Sequence, residues 1–404
     1  MSGFAAAITG IGLVTPAGIG VPENWTRVVE GEATAAVDPE LADLPVRISC
    51  RVPEFSAEDL GLSGAWQWDR YTRFAVAAAH EALRQAGLTP GDWDSSRVAV
   101  IIGSGAGGTA TLEEQHRVLV EDGPSDVSPL TLPMGLLNMA AGQLAIDIGA
   151  NGPCLAPCTA CASGASAIGI GRDILRLGTA DIVIAGGAEA PVTPLYVSAF
   201  SRMRALSRRS DPATASRPFD AARDGFVLGE GAGVVVLESE EHAKARGAQA
   251  LARVIGYGAS ADAHHVTSPH PQGRGATLGI RAALADAGLT GRDVRYVNAH
   301  GTSTPLNDRV EARVIREVLG ADIPVSSTKG VTGHPLGAAG AIEAAYTALA
   351  VHRGVIPPTA NLTDPDPKAD IDLVYKAARH GRVDVALSNS FGFGGQNTAL
   401  LIAA

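Results

Sequence analysis

Three cysteines stand close together at positions 154, 158 and 161, and two histidines, His300 and His334, each sit beside a turn rich in glycine or hydroxyls. These residue types invite covalent acyl-transfer chemistry, with a thiol as nucleophile and imidazoles to move protons or to donate N–H to a developing oxyanion. Cys161 is followed by Ala-Ser-Gly-Ala-Ser-Ala-Ile-Gly-Ile-Gly, a run of small residues that predicts a helix start with room for a thioester. At such an N-terminus, unpaired N–H groups and the helix dipole favour thiolate. The C-x3-C-x2-C spacing also fits an iron–sulfur cluster held by Cys154, Cys158 and Cys161, as in a radical enzyme. Inert, packed thiols are the plainer reading for Cys154 and Cys158.

His300 closes an apolar run and opens His-Gly-Thr302-Ser-Thr304-Pro-Leu-Asn-Asp308, a turn too rich in hydroxyls to be simple core. His334 lies in Lys329-Gly-Val-Thr-Gly-His334-Pro-Leu-Gly-Ala-Ala-Gly340, again leading into a small-residue helix. Both imidazoles therefore fall at element ends, where functional groups project. Gly103-Ser-Gly105-Ala-Gly-Gly108 follows an apolar strand and matches a pyrophosphate-cradling pattern, but in a chain with 48 glycines the match arises easily.

Holding these groups requires a large scaffold. The chain has 404 residues, 46% hydrophobic and 18% charged, enough to bury a core as two fused units. Aromatics make up only 4%, and the wealth of Gly and Ala suits close helix-on-sheet packing, so the fold class reads as α/β. A formal charge of −10 argues against a nucleic-acid partner. No apolar run approaches the roughly 20 residues that span a bilayer, and the start lacks the basic region of a secretion signal, which predicts a cytoplasmic protein without membrane association. Four cysteines in a chain of this size are expected to stay reduced.

Residues 81–90 read EALRQAGLTP and residues 282–291 read AALADAGLTG, half a chain apart. Each leads into an apolar strand and a glycine turn, Val98-Ala-Val-Ile-Ile-Gly103 in the first case and Val294-Arg-Tyr-Val-Asn-Ala-His300-Gly in the second. The shared pattern predicts a duplicated α/β unit, residues 1–246 carrying the cysteine and 247–404 both histidines. Between them, ESEEHAKAR at 238–246 predicts a charged surface helix.

Four segments, Thr159-Ala-Cys161-Ala-Ser-Gly, the His300 turn, the Lys329 to Gly340 stretch and Asn389-Ser-Phe-Gly-Phe393-Gly-Gly-Gln-Asn397, resemble in that order the motifs of β-ketoacyl-acyl carrier protein synthases. Ser216-Arg-Pro-Phe-Asp220 and Asp224-Gly-Phe-Val-Leu-Gly-Glu-Gly231 extend the likeness over nearly the whole chain. It implies a thiolase-type fold, two similar halves in αβαβα layers. It also implies a dimer, either of identical chains or with a chain-length-factor-like homologue.

The resemblance implies a mechanism. Cys161 takes an acyl group from the pantetheine of an acyl carrier protein, malonyl-carrier protein loses CO2, and the resulting carbanion attacks the Cys161 thioester. His300 and His334 donate to the enolate oxygen, while backbone N–H groups of Cys161 and Phe393 hold the tetrahedral oxyanion. Phe393, followed by Gly394, acts as a mobile gate; Lys329 orients the site with Glu311 as ionic partner and Asp308 in support; Thr302 and Thr304 bond pantetheine. Arg204, in a cluster with Arg202, Arg208 and Arg209, meets the acidic carrier. Neither metal nor organic cofactor is required. Ala162 replaces a common Ser or Thr, and Ala106 replaces a bulky aliphatic gate, which implies a wider acyl tunnel. Housekeeping fatty-acid elongation and the ketosynthase subunit of a type II polyketide synthase share all of these residues; Ala106 favours the second.

Overall fold

The computed structural model describes residues 4–56 and 61–404. Strands that are apolar without alternation should be covered on both faces, and Ala6–Thr15 (β1) and Val98–Gly103 (β2) are buried along their whole length. With Cys154–Leu155 (β3), Ile182–Glu189 (β4) and Gly231–Ser239 (β5) they form the first half of an 11-stranded sheet. The second half comprises Ala252–Ala261 (β6), Tyr296–Asn298 (β7), Val325–Ser326 (β8), Val385–Gly392 (β9) and Gln396–Ala403 (β10). Strand order is β8-β7-β9-β10-β6-β1-β5-β4-β2-β3, with Gly18–Ile19 pairing onto the end of β1.

The order is palindromic about the β1–β6 junction, where Ala6 pairs with Val254 and Ile8 with Ala252. Outward from that junction each half runs antiparallel, antiparallel, parallel, parallel. The repeat seen in the sequence is therefore a repeat of topology. The echoed AGLT segments cap two outer helices, Arg70–Ala86 (α1) and Arg274–Ala287 (α4): Gly87 and Gly288 take φ of 66° and 67°, and Leu88 and Leu289 each donate back to a leucine carbonyl of the last turn at 3.0 and 2.9 Å. That is a Schellman cap, which requires glycine at the left-handed position. The strand after the second copy is shorter than the sequence suggests, ending at Asn298, two residues before His300.

Helix α1 and Met139–Ile148 (α2) cover the outer face of the first half. Helix α4 and Pro305–Val318 (α5) cover that of the second. Between the two sheet halves lie Ser163–Arg176 (α3) and Ala339–Arg353 (α6), sharing one core with strands of both halves. The layers are thus αβαβα, the thiolase-type arrangement. Glycine permits the close packing: a methyl on Gly164 would sit 2.7 Å from the Ala341 Cβ, and one on Gly340 would sit 2.7 Å from the Ala165 Cβ. This reciprocal contact brings the starts of α3 and α6 side by side, and with them Cys161 and His334.

The charged 238–246 stretch is only partly superficial. Glu238 ends β5 fully buried and accepts from Thr9, His242 and Arg246, and the surface helix is the short Glu240–Ala245. No helix among the described residues is long and apolar enough to cross a membrane.

Candidate active site

Cys161 sits in a single 3-10 turn, Ala160–Ala162, at the start of α3. Ala160 adopts φ 48°, an uncommon conformation for a residue with a Cβ, and the turn is pinned by Ser163 Oγ donating to the Ala160 carbonyl at 2.7 Å. A Cβ on Gly392 would lie 2.5 Å from the Thr159 oxygen, so glycine there allows the β9 end to close on the cysteine. The backbone N–H groups of Phe393 and of Cys161 itself favour the thiolate. Burial dominates the thiol: it pushes Cys161 up to about 11, aided by Glu189 and opposed by the two N–H groups and the Lys329 charge. The expected helix-terminus thiolate is therefore outweighed, because only 7% of the side chain reaches solvent, and Cys161 rests as a neutral thiol.

The iron–sulfur reading finds no support. Cys154 is exposed on the edge strand β3, Cys158 is exposed beyond it and Cys161 is buried, and no three potential ligands converge on a metal position among the described residues. The glycine turn at 103–108 does cradle an anion, but an internal one: Glu189 accepts from Gly105 N–H (2.7 Å), Ala106 N–H (2.9 Å), Ser104 Oγ (2.6 Å) and, from the His334 side, Gly337 N–H (2.8 Å). A phosphate would have to displace that carboxylate.

His300 follows β7, and its loop is fixed by the Glu311 carboxylate, which accepts from the N–H groups of His300 and Gly301, each at 2.8 Å, and from Asn389 Nδ2 at 3.2 Å. Asp308, wholly buried, accepts from Phe219 N–H at 2.9 Å and faces Arg223 at 3.3 Å. The segment 216–220 thus braces this loop, and Ser216 Oγ also donates to the Lys329 carbonyl at 2.6 Å. The Lys329 ammonium donates to the His300 carbonyl at 2.6 Å and stands 3.5 Å from His300 Nδ1. A cation facing Nδ1 fixes that nitrogen as acceptor, so Nε2 carries the ring proton.

The expected pairing of Lys329 with Glu311 is incorrect. Lys329 pairs with Glu343 on α6, while Glu311 binds backbone amides. The reason is topological: α6 runs through the centre of the molecule and delivers its only acidic side chain to the buried ammonium, whereas α5 lies outside the sheet. The signal was present, since Glu343 interrupts an otherwise apolar stretch, Ala-Gly-Ala-Ile-Glu343-Ala-Ala-Tyr. Burial pushes both Glu311 and Glu343 up to about 7.

His334 is held by its backbone against the 226–229 segment, donating to the Val227 carbonyl at 2.8 Å and accepting from Gly229 at 3.1 Å. This accounts for the 224–231 motif. Its ring packs edge-on against Phe226 and His300, with centroids 5.2 and 5.3 Å apart. His334 Nδ1 is sealed from solvent without a hydrogen-bond partner, leaving Nε2 as the nitrogen toward the cleft. Burial first, then the Lys329 charge, holds both imidazoles well below their usual range, so both are neutral. Ser303 and Leu336, at φ 70° and 37°, add backbone strain beside the two histidines, as Ala160 does beside the cysteine.

Cys161, His300, His334, Thr302, Thr304, Arg204 and Phe393 all line one cleft of about 360 Å³. Thr302 and Thr304 hydroxyls lie 2.9 Å apart, bonded to each other, and Thr304, although at the N-cap of α5, makes no side-chain cap. Gly394 is exposed with φ 80° and its N–H donates to the Val266 carbonyl at 2.7 Å, tying the Phe393 loop to residues 262–269, which also line the cleft. Ala106 does not line it; it lies in the Glu189-bound turn, where Gly105 approaches Ala160. Sequence reasoning missed Glu189 and Glu343, and it quoted Asn389 and Phe226 within motifs without giving either a role.

The chain matches the beta-ketoacyl synthase N-terminal domain over residues 5–243 and the C-terminal domain over residues 251–363. It is 45% identical over 402 residues to 3-oxoacyl-[acyl-carrier-protein] synthase 2 of Synechocystis, covering 97% of this chain and 96% of that protein. The Staphylococcus aureus protein of the same name is 43% identical, covering 98% and 97%. Among solved structures, the ishigamide ketosynthase/chain length factor superposes with a TM-score of 0.94 at 33% identity, covering 100% of this chain and 99% of that one. A β-ketoacyl synthase from Burkholderia phymatum gives 0.93 at 34%, with the same coverage. A type II polyketide ketosynthase in complex with its acyl-carrier protein gives 0.92 at 33%, covering 100% of both chains. The chain belongs to the β-ketoacyl synthase family and is a β-ketoacyl-acyl carrier protein synthase, a condensing acyltransferase.

Proposed function

We propose that this enzyme elongates carrier-bound acyl chains in the cytoplasm by decarboxylative Claisen condensation, with Cys161 as nucleophile and His300 and His334 as paired N–H donors. The observation that carries this reading is the meeting of one buried thiol and two neutral imidazoles in a single cleft. The Cys161 sulfur attacks the acyl thioester, forming acyl–S–Cys161; its proton passes to the departing pantetheine sulfur. Malonyl-carrier protein then binds, its C–CO2 bond breaks, CO2 departs, and the electron pair becomes an enolate. Nε2–H of His300 and of His334 donate to that enolate oxygen, and neutrality lets them donate without carrying charge into the site. The enolate carbon attacks the thioester carbonyl, whose oxyanion accepts from the Cys161 and Phe393 N–H groups. The Cys161 thiolate then leaves and regains a proton from solvent. Lys329 fixes the His300 tautomer, and Thr302 and Thr304 bond the pantetheine. No organic or metal cofactor enters, since the thioester carbonyl is the electron sink.

The substrate assignment is the ketosynthase of a type II polyketide system, working as a homodimer or with a chain-length-factor-like partner; Ala106, expected to widen the acyl tunnel, lies outside the cleft and lends it no weight. Several structurally similar chains are ketosynthases solved with a chain length factor or carrier protein. Housekeeping fatty-acid elongation is the second reading, favoured by the higher identity to 3-oxoacyl-carrier protein synthases, 45% against 33% for the polyketide ketosynthases. Purified enzyme offered acyl-carrier thioesters of graded length and unsaturation with malonyl-carrier protein separates the two by product mass. Polyketide use predicts acceptance of bulky or unsaturated chains; selective extension of saturated chains supports the second.

A further inference from the structure

Each loop of the active site is fixed by bonds of its own, and one buried carboxylate ties two of them together. The Cys161 turn is pinned by Ser163, and His334 by the 226–229 segment. Glu189, the last residue of β4, stands opposite Gly231 of β5, and because β4 runs parallel to β2 its side chain emerges beside the turn that follows Gly103. It is fully buried and shares its two oxygens between that turn and the loop of His334. Oε1 accepts from Ser104 Oγ at 2.6 Å and from Ala106 N–H at 2.9 Å. Oε2 accepts from Gly105 N–H at 2.7 Å and from Gly337 N–H, just after His334, at 2.8 Å. Ser104 Oγ itself accepts from Gly107 N–H at 3.0 Å, so its proton points to Glu189. Burial pushes the Glu189 pKa up and these donors oppose it. Since every partner is a donor, the arrangement requires the carboxylate; a protonated carboxyl would turn its O–H on one of them.

Glycine lets these parts meet with no side chain between them. A Cβ on Gly337 would lie 2.5 Å from Gly105 N and from Glu189 Oε2, and one on Gly105 would lie 3.6 Å from the Ala160 oxygen, beside Cys161. The 104–106 turn therefore bridges the Cys161 turn and the His334 loop. Glu189 does not line the cleft, so it acts through these neighbours. We propose that Glu189 is a positioning residue for condensation, joining the turn against Cys161 to the loop of His334 so that the acyl thioester is held in line with the enolate. The inference rests on the condensation assigned above. Loading engages Cys161 and its oxyanion donors, and loss of CO2 engages His300 and His334. Only C–C bond formation requires both groups at one spacing, where a misplacement of about 1 Å can cost about 10²-fold. An enolate that misses the thioester takes a proton instead and leaves as acetyl-carrier protein. Loss of the tie thus shows as CO2 released without a new C–C bond.

The test uses the full chain in single-turnover reactions of an acyl-carrier thioester with malonyl-carrier protein, reading Cys161 loading by intact-protein mass, CO2, and the β-ketoacyl and acetyl products. Glu189→Leu keeps much of the side-chain volume and removes both acceptor oxygens; Glu189→Gln keeps one. With Glu189→Leu the expected result is loading to the wild-type extent and C–C bond formation slowed about tenfold or more. The ratio of β-ketoacyl product to CO2 falls below that of the unmodified enzyme, the difference appearing as acetyl-carrier protein, and Glu189→Gln gives an intermediate ratio. Loss of folded enzyme lowers loading, CO2 and product together and leaves the ratio unmoved, so the ratio reports positioning. A wild-type ratio in Glu189→Gln, or loading that falls in step with condensation in both variants, overturns the proposal; Glu189→Gln decides alone if Glu189→Leu does not fold. If the unmodified enzyme itself forms no β-ketoacyl product, the condensation reading fails, and the role of Glu189 with it.

Discussion

The two halves of the molecule place a short parallel strand, a strained loop and a small-residue helix at corresponding points, yet they bury opposite kinds of chemistry there. In the first half, β3 leads to α3 and Cys161; in the second, β8 leads through Lys329 and His334 to α6. The first half contributes a weak acid whose ionisation burial suppresses, and the second contributes weak bases whose protonation burial and Lys329 suppress. At neutral pH the thiol and both imidazoles are therefore uncharged, and the buried cation beside them is matched by Glu343. The two halves share the geometry; the difference between them places a buried thiol on one side and two neutral imidazoles on the other. An uncharged, water-poor centre of this kind gains most when charge appears in the transition state.

Removing the first half's contribution should have the largest effect. Cys161→Ala is expected to lower condensation by about four orders of magnitude or more and to abolish acyl loading, read by intact-protein mass. Removing either donor of the second half, by His300→Ala or His334→Ala, should cost about 3–4 kcal/mol of transition-state stabilisation, or 10²–10³-fold in condensation rate, with loading intact. Glu343→Ala leaves Lys329 buried and unpaired and should destabilise the fold by about 3–5 kcal/mol, measured by chemical unfolding; Glu311→Ala, which leaves no cation unmatched, should cost less. The histidines also predict a pH dependence. Their folded pKa values lie below the usual 6.5, so below pH 6.5 the unfolded chain binds protons that the folded chain does not. Stability should therefore fall as pH drops through that window, and His300→Phe should flatten the slope in unfolding experiments between pH 7.5 and 5.5. The smallest effect is expected from Thr302→Val, about 1 kcal/mol or roughly fivefold in KM for carrier substrates at unchanged kcat.

The duplicated scaffold was legible because its signals are local. AGLT marks a Schellman cap wherever it occurs, and uninterrupted apolar runs mark doubly covered strands. The site was legible as far as residue type and element ends allow, which is why Cys161, His300 and His334 meet as expected. Pairings that depend on which layer a helix occupies were not: Lys329 has carboxylates on both α5 and α6 within reach in sequence, and only the passage of α6 through the centre selects Glu343. The glycine turn at 103–108 failed for a related reason, since a backbone cradle looks the same in sequence whether its anion is a ligand or the protein's own Glu189. The ionisation of Cys161 was misjudged because a helix N-terminus can be read from spacing, whereas the depth at which it is buried cannot.

The central claim is the division of labour between the halves, and it is tested most directly by following acyl loading and CO2 release in the same single-turnover experiment. With an acyl-carrier thioester and malonyl-carrier protein, the account predicts that His300→Ala and His334→Ala load Cys161 to the wild-type extent but release CO2 at least about a hundredfold more slowly, while Cys161→Ala never loads and still releases CO2. Histidine variants that release CO2 at the wild-type rate, or that fail to load as completely as Cys161→Ala, would contradict it.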